Sequence, residues 1–342
     1  AAAAQKLMLV LSEKYEIDDS EVYVTPSIGI AMYPESGDNA KRLIKAADIA
    51  MYEAKKRGGD RFQYYSPALN AKLAQREELE VGLRHALLRK EFVLHYQPRI
   101  DVASGRLIGL EALLRWQHPR FGLLSPPRFL PILESSGLIH SAGEWVIATA
   151  FRQLAAWQRH FELPDLSIAI NLSSQQLMHS RLVQTVSKSL SDTMLDPGCI
   201  ELEISDGDIV YKRADELETL RALRKLGVRI SLDNFGTREV SFESLDEGFV
   251  DSFVLDQSLI SDIEDNNSHQ RIVRAAIAMA QGLDIEVAAE GVETMTQLEF
   301  LKSCNCDLAQ GFLISKPMRP ENVSAILRSE IAGTGLLARG MP

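Results

Sequence analysis

An apolar stretch that carries an oxygen-bearing side chain near its end recurs along this chain. Residues 107–116 begin as a strand-like apolar run and then carry Glu111 and Arg115. A charged side chain in an apolar strand is costly unless a partner satisfies it. A buried Glu–Arg pair would explain this segment on its own, but its recurrence favours a shared role for the polar ends.

Seven further segments have the composition of strands, and most of them also carry a polar side chain near the end. They are residues 93–97, 166–171 (with Asn171), 200–205 (with Glu203), 228–233 (with Asp233), 250–256, 284–290 (with Glu290) and 307–312 (with Gln310). Helical stretches separate most of them, at residues 129–135, 141–160, 181–190, 214–226, 269–280 and 295–303. This alternation predicts a parallel sheet, and eight strands predict an α/β barrel of the (β/α)8 type.

In such a barrel the C-terminal strand ends converge on one face, where the active site lies. The polar strand ends would then share one pocket. They are Glu111, Asn171, Glu203, Asp233, Glu290 and Gln310. Carboxylates in one pocket repel each other, and a hard divalent cation such as Mg²⁺ or Mn²⁺ would relieve that repulsion. The alternative, in which each acid is paired separately at the surface, requires all of them to reach strand ends by accident.

Composition excludes some classes of protein. The chain has 342 residues and a net charge of −10, which does not support general nucleic-acid binding. Cys199, Cys304 and Cys306 form no even disulfide framework, which favours reduced thiols in the cytoplasm. No apolar run has the length of a membrane span. Because the chain opens with alanines and no Met, we expect a longer protein, in which a membrane or sensor segment could precede it.

Several motifs occur in an order that resembles the EAL family of cyclic di-GMP phosphodiesterases. They are Tyr96–Pro98, Glu111–Trp116, Phe129–Pro131 with Glu134, Asn171–Ser173, Asp233–Thr237, Ala289–Thr294 and Gln310–Gly311. The resemblance implies a modified TIM (β/α)8-type barrel over residues 91–334, followed by a tail at 335–342.

The N-terminal region resembles the C-terminal half of a GGDEF diguanylate cyclase domain. The matching segments are Ser27–Ala31, Ala46–Tyr52 and Ala54–Lys55, and the half that bears the cyclase signature is not in the chain. We expect a partial α+β domain over residues 1–66, with a helix at 5–15, a strand at 21–33 and a helix at 39–57. An amphipathic linker helix is predicted over residues 67–90.

The EAL resemblance implies a role for each residue of the pocket. By motif position, the metal ligands would be Glu111, Asn171, Glu203 and Asp233. Glu290 would complete the acidic cluster, and Gln310 would help to orient water. The residues that bind cyclic di-GMP would be Gln97, Glu111, Leu113, Arg115, Asn171, Asp233 and Glu293. In an active enzyme these groups hydrolyse cyclic di-GMP to linear pGpG.

The chain departs from the family pattern on one side of this pocket. Asn234 replaces the second Asp of the family pair, and Val254 replaces the lysine of the sixth strand. The loop at residues 238–242 has a different sequence, and Asp206 stands where the family usually has Glu. These changes predict a weakened second metal site and weakened catalysis, whereas the first-metal and ligand side is intact.

The favoured hypothesis from the sequence is therefore a degenerate EAL domain that acts as a cyclic di-GMP receptor in bacterial signalling, with little or no hydrolysis. Two alternatives stay open. The domain could be an active phosphodiesterase with two divalent cations, or a protein-interaction module that binds no nucleotide. The sequence leaves open whether the domain has a downstream protein partner and whether it forms a homodimer.

Overall fold

The computed structural model describes residues 1–17, 20–56, 58–205, 214–236 and 249–333. Asp206, Thr237, the loop at residues 238–242 and the predicted tail at 335–342 lie outside the described residues. The chain divides into two compact units, Ala1–Gly82 and a second unit that begins at Leu83. The predicted boundaries at residues 66 and 90 stay predictions. Among the described residues, no helix is long and apolar enough to cross a membrane.

The first unit mixes short strands with helices. Its elements are α1 (Ala2–Leu11), β1 (Tyr15–Ile17), β2 (Ser20–Val22), β3 (Ser27–Ile30), α2 (Ala40–Lys56), β4 (Arg61–Tyr64) and α3 (Pro67–Ala86), which continues into the second unit. β1 and β2 form an antiparallel hairpin, whereas β3 and β4 are parallel and joined through α2. α2 packs closely on β3, because a Cβ on Gly29 would lie 1.8 Å from the carbonyl oxygen of Ala47.

Two local predictions for this unit were wrong in detail. The helix predicted over residues 5–15 ends at Leu11, and Tyr15 already belongs to β1. The strand predicted over residues 21–33 is divided into β2 and β3, with Pro26 between them. Proline lacks the N–H that a sheet ladder needs, so the strand is interrupted there.

The second unit is a closed barrel of eight strands. They are β5 (Phe92–Asp101), β6 (Leu107–His118), β8 (Ser167–Leu172), β9 (Ile200–Ser205), β10 (Arg229–Phe235), β11 (Ser252–Leu255), β12 (Glu286–Ala289) and β13 (Leu308–Ala309). β7 (Gly122–Leu124) pairs with the end of β6 outside the ring. The pairing of β5 with both β6 and β13 closes the barrel. The predicted modified TIM-type α/β barrel is confirmed.

One strand runs against the predicted direction. β5 is antiparallel to β6 and to β13, whereas the other barrel strands are parallel. The cause is the short connection between β5 and β6, which is a turn at residues 102–106. Within it Gly105 has φ of 70° and donates its N–H to the carbonyl of Asp101. A parallel pair needs a long crossover, so a connection of this length forces an antiparallel hairpin.

Helices surround the barrel. They are α4 (Leu130–Ser135), α5 (Ile139–Phe161), α6 (Ser174–Leu177), α7 (Leu182–Thr193), α8 (Ala214–Lys225), α9 (Gln257–Ile260), α10 (Asn267–Gly282), α11 (Met295–Ser303) and α12 (Pro320–Ile331). All of them except α6, α9 and α12 correspond to helices predicted from the sequence. The main hydrophobic core lies between these helices and the outward faces of the strands; Leu154 of α5 and Ile168 of β8 are both fully buried in it.

The inward face of the barrel contains a second, smaller apolar cluster. Val254, Ala288 and Leu308 form it, and their neighbours Phe253 and Leu255 belong to the outer core. Because side chains alternate along a strand, Glu290 and Gln310 follow Ala288 and Leu308 on the inward side. The barrel interior is therefore apolar near the middle of these strands and polar toward their C-terminal ends.

We expect Leu154→Ala to lower the free energy of unfolding by about 2–5 kcal/mol, because it opens a cavity in a fully packed core. The three tryptophans, Trp116, Trp145 and Trp157, all belong to the second unit, so their fluorescence during urea denaturation reports on this unit. Leu88→Ala is the matched control, since Leu88 is 83% exposed. Equal losses from the two changes would contradict the described core.

Candidate functional site

The inward side chains at the strand ends form one connected polar network. β5 supplies Gln97 and Arg99, β6 supplies Glu111, and β9 supplies Glu201 and Glu203. Glu290 directly follows β12, and Gln310 directly follows β13. The ladder pairs Gln97 with Glu111, so the antiparallel β5 still brings Gln97 to the predicted pocket.

Arg99 lies at the centre of this network and was not among the residues predicted from the sequence. Its Nη1 donates to Glu201 Oε1 at 2.9 Å, its Nη2 donates to Glu203 Oε1, and its Nε donates to Gln310 Oε1 at 2.7 Å. Nη2 also lies 4.0 Å from Glu290 Oε1. Burial disfavours the charged guanidinium, but Glu203 and Glu201 outweigh that effect and raise the pKa of Arg99 above its ordinary value.

Glu111 is held by amide donors. Asn171 Nδ2 donates to Glu111 Oε1 at 2.6 Å, and Gln310 Nε2 donates to Glu111 Oε2. The same Gln310 Nε2 donates to Gln97 Oε1 at 3.0 Å, and Gln97 Nε2 donates to the carbonyl of Ser315 at 3.0 Å. Gln310 thus joins the guanidinium of Arg99 to the carboxylate of Glu111, which determines the orientation of its amide.

Asp233 and Asn234 form a local pair at the end of β10. The backbone N–H of Asn234 donates to Asp233 Oδ1 and its side-chain Nδ2 donates to Asp233 Oδ2, both at 2.7 Å. Asn234 has φ of 62°, a left-handed conformation that Asn tolerates better than most residues. An aspartate at this position would have no side-chain donor to offer Asp233, so the amide changes the environment of the neighbouring carboxylate.

The carboxylates toward the open end of the barrel interact unfavourably with one another. Burial, reinforced by the negative charges of Glu111 and Asp233, raises the pKa of Glu290 to about 8. Burial and the charge of Glu111 raise the pKa of Asp233 to about 6. Arg99 lowers both values but does not cancel the excess of negative charge. The pKa of both carboxyl groups therefore stays above its ordinary value.

The donor chemistry of these residues fits a hard divalent cation. The predicted ligands Glu111, Glu203 and Asp233 supply carboxylate oxygens, Asn171 supplies an amide oxygen, and Mg²⁺ and Mn²⁺ prefer such donors. Among the described residues, however, no three acidic, histidine or cysteine side chains are arranged as a metal centre. Oxygens of these carboxylates accept hydrogen bonds from Arg99, Gln310, Asn171 and Asn234.

A cavity of about 590 Å³ opens beside this network, between the ends of β6 and β8 and helices α4 to α6. Leu113, Asn171 and Asp233 line it, together with Glu134 and Ser173. Its volume is in the range of small-molecule sites. Three predicted site residues are thereby brought to one cavity, and Glu111 is hydrogen-bonded to one of them, Asn171.

The other predicted residues have different positions. Arg115 is half-buried on β6, where Nη1 donates to the carbonyl of Leu114 at 2.8 Å. Val254 is fully buried in the inner apolar cluster. Glu293 is exposed and its backbone N–H donates to Gln297 at 2.7 Å. Within the described residues, the side chain of Glu293 makes no hydrogen bond to the network, so the structure does not bring it together with the other site residues.

The sequence did contain a signal for the two residues that were missed. Arg99 lies two positions after Gln97, and Glu201 lies two positions before Glu203. Alternate residues of a strand share a face, so each of the missed residues follows from a predicted inward neighbour. The sequence did not indicate which inward side chains of these two strands come into contact.

We expect Arg99→Met to lower the free energy of unfolding by about 3–5 kcal/mol, because it leaves buried carboxylates without their cation. Arg224→Met is the control, since Arg224 pairs with Asp251 at 3.1 Å near the surface. Its loss should be below about 1 kcal/mol. Urea denaturation followed by tryptophan fluorescence measures both. A smaller loss of unfolding free energy for Arg99→Met than for Arg224→Met would contradict the central role of Arg99 in the network.

Comparison with known proteins agrees with this architecture. The family model described as "EAL domain" matches residues 80–317, and the model described as "Diguanylate cyclase, GGDEF domain" matches residues 1–61. The bifunctional diguanylate cyclase/cyclic di-GMP phosphodiesterase MucR of Pseudomonas aeruginosa is 38% identical over 325 residues, which are 95% of this chain and 47% of MucR. The cyclic di-GMP phosphodiesterase NbdA of the same species is 36% identical over 95% of this chain and 42% of NbdA.

Solved structures give the same result. The PaMucR phosphodiesterase in its c-di-GMP complex is 39% identical, with a TM-score of 0.69 over 72% of this chain and 99% of that chain. The EAL enzyme Bd1971, in its form with cAMP and cyclic di-GMP bound, is 28% identical, with a TM-score of 0.71 over 85% of this chain and 77% of that chain. The chain spans less than half the length of the curated relatives MucR and NbdA. The closed barrel, its polar strand ends and these matches together show that the chain belongs to the EAL domain family, with a partial GGDEF domain before it.

Proposed function

We propose that this EAL domain is a cyclic di-GMP receptor with little or no hydrolytic activity. The observation that carries the proposal is the contrast between the positions expected to bind ligand and the positions expected to take part in catalysis. Three of the residues expected to bind ligand, Leu113, Asn171 and Asp233, line a cavity, whereas the position expected to hold the catalytic lysine is Val254, packed among apolar side chains.

The binding side retains the groups that an anionic dinucleotide requires. Leu113 and Asn171 line the cavity, and Arg115 lies on the same strand as Glu111 and Leu113. A guanidinium is suited to a phosphate because its N–H groups can form paired, charge-assisted hydrogen bonds. Relatives support this ligand, because the PaMucR phosphodiesterase and Bd1971 have structures with cyclic di-GMP.

The catalytic side lacks two groups. Divalent cations held by Glu111, Asn171, Glu203 and Asp233 would supply an activated water and stabilise developing negative charge. The chain itself would have to position that water and the second cation. Val254 cannot donate a hydrogen bond from its side chain, and the Asn234 amide donates to Asp233 where a second carboxylate would add negative charge. Losing one such electrostatic group typically costs about 10²–10³ in rate.

An active phosphodiesterase is the second candidate. The retained carboxylates and Gln310, together with relatives that are named phosphodiesterases, favour it. A module that binds protein only is the third, and it predicts no nucleotide binding. A downstream partner and homodimerisation remain predictions.

We expect Arg115→Ala to weaken the binding of cyclic di-GMP by more than about 1 kcal/mol, roughly fivefold in Kd, because a charge-assisted contact is lost. Isothermal titration calorimetry measures this. Arg106→Ala is the matched control, since Arg106 is exposed beside the start of the same strand, at the other end from Arg115. If the unchanged protein shows no binding at high micromolar ligand, the receptor proposal is wrong.

We expect the double variant Val254→Lys/Asn234→Asp to gain more pGpG formation, in log rate, than the sum of the two single variants. Val254→Lys alone places an ammonium in an apolar cluster, and Asn234→Asp alone adds charge beside Asp233. Val254→Met controls for side-chain size without charge. Chromatography of the products with Mg²⁺ or Mn²⁺ gives the rates. A turnover on the order of 1 s⁻¹ by the unchanged protein would favour the second candidate.

A further inference from the structure

The two carboxylates that pair with Arg99, Glu201 and Glu203, differ in how many other partners they have. Glu201 has other partners, because Ser252 Oγ donates to its Oε2 at 3.1 Å and Arg229 Nη2 lies 3.8 Å from the same oxygen. Among the described residues, Arg99 is the one side chain that hydrogen-bonds or ion-pairs with Glu203. Glu203 is only 1% exposed, so no solvent replaces this contact.

The guanidinium is also fixed in its position. Its Nε donates to Gln310 Oε1 at 2.7 Å and its Nη1 donates to Glu201 Oε1 at 2.9 Å, so two of its three nitrogens are anchored away from Glu203. The remaining nitrogen, Nη2, points at Glu203 and lies 4.0 Å from Glu290. A rigid guanidinium held in this way places one positive charge beside the carboxylates of Glu203 and Glu290.

A divalent cation that used Glu203 as a ligand would compete with this nitrogen. The guanidinium of Arg99 and the divalent cation would both interact with the carboxylate of Glu203. Two positive charges also repel each other at close range in a poorly solvated interior. We propose that Arg99 is a built-in counter-cation that competes with a divalent metal for Glu203 and so sets the metal affinity of the site. Arg99 is thus a positioning residue, which acts through Glu203.

The inference rests on the proposed function only for the identity of the site. It needs no nucleotide, so its test is separate from the receptor proposal. Failure of cyclic di-GMP to bind would leave the competition between Arg99 and metal intact. Conversely, a metal affinity that is independent of Arg99 would leave nucleotide binding through Arg115 untouched.

The experiment is a calorimetric titration of the full chain with Mn²⁺ and then Mg²⁺, in the absence of nucleotide. We expect Arg99→Met to bind Mn²⁺ at least about tenfold more tightly than the unchanged protein, because one nearby positive charge is gone. Arg99→Lys keeps the charge and should retain the weaker affinity. In Arg99→Met/Glu203→Gln the gain should disappear, since the contested ligand has been removed.

Arg229→Met is the matched control. It removes a guanidinium that also lies near Glu201 but does not contact Glu203, so the Mn²⁺ affinity should not change. If Arg99→Met binds Mn²⁺ no more tightly than the unchanged protein, or if Arg229→Met shows the same gain, the proposal is overturned.

Loss of the buried cation could prevent Arg99→Met from folding in the absence of metal. The double variant Arg99→Met/Glu201→Gln then serves, because it removes one of the two carboxylates that hydrogen-bond to Arg99 and leaves Glu203 available. Circular dichroism gives a further measurement. If Arg99→Met is unfolded without metal, Mn²⁺ should restore its folded spectrum, and failure of Mn²⁺ to do so would count against the competition.

Discussion

The buried ion pairs of Arg99 are the interaction on which the interior of this barrel depends. Closing eight strands brings Glu111, Glu201, Glu203 and Glu290 into one narrow lumen. Burying such charges costs several kcal/mol per ion unless a well-placed partner compensates them. The planar guanidinium can meet two carboxylates and the Gln310 oxygen at once, which a single point charge could not do with the same geometry.

Amide side chains also compensate buried carboxylates, in addition to Arg99. Gln310 and Asn171 donate to Glu111, which belongs to the Arg99 network, and Asn234 donates to the neighbouring Asp233. A connected polar network of this kind is stabilising only when its members are satisfied. The same donors occupy oxygens that a metal would need. A metal that bound these carboxylates would therefore have to displace hydrogen-bond donors of the protein.

Binding and catalysis place different demands on an EAL site. Binding requires a cavity of the right size, apolar surface such as Leu113 and a cation such as Arg115. Catalysis requires groups placed where charge develops in the transition state, and under the proposed function Val254 and Asn234 occupy two positions where such groups are missing. Leu113 and Arg115 lie on β6, whereas Asn234 and Val254 lie on β10 and β11, so under the proposed function a change at the latter two positions leaves the former two in place.

Most strands and helices, and the polar ends of the strands, could be predicted from the sequence, because alternation and helical periodicity are local patterns. Glu111, Asn171 and Gln310 were identified in this way and lie in one hydrogen-bonded network. The reversed direction of β5 follows from its short connection to β6, whereas the role of Arg99 was decided by the tertiary structure. Arg99 is separated from Glu201 by 102 residues and from Gln310 by 211. No local pattern encodes which side chains meet across such distances; closure of the barrel, which pairs β5 with β6 and β13, determines it.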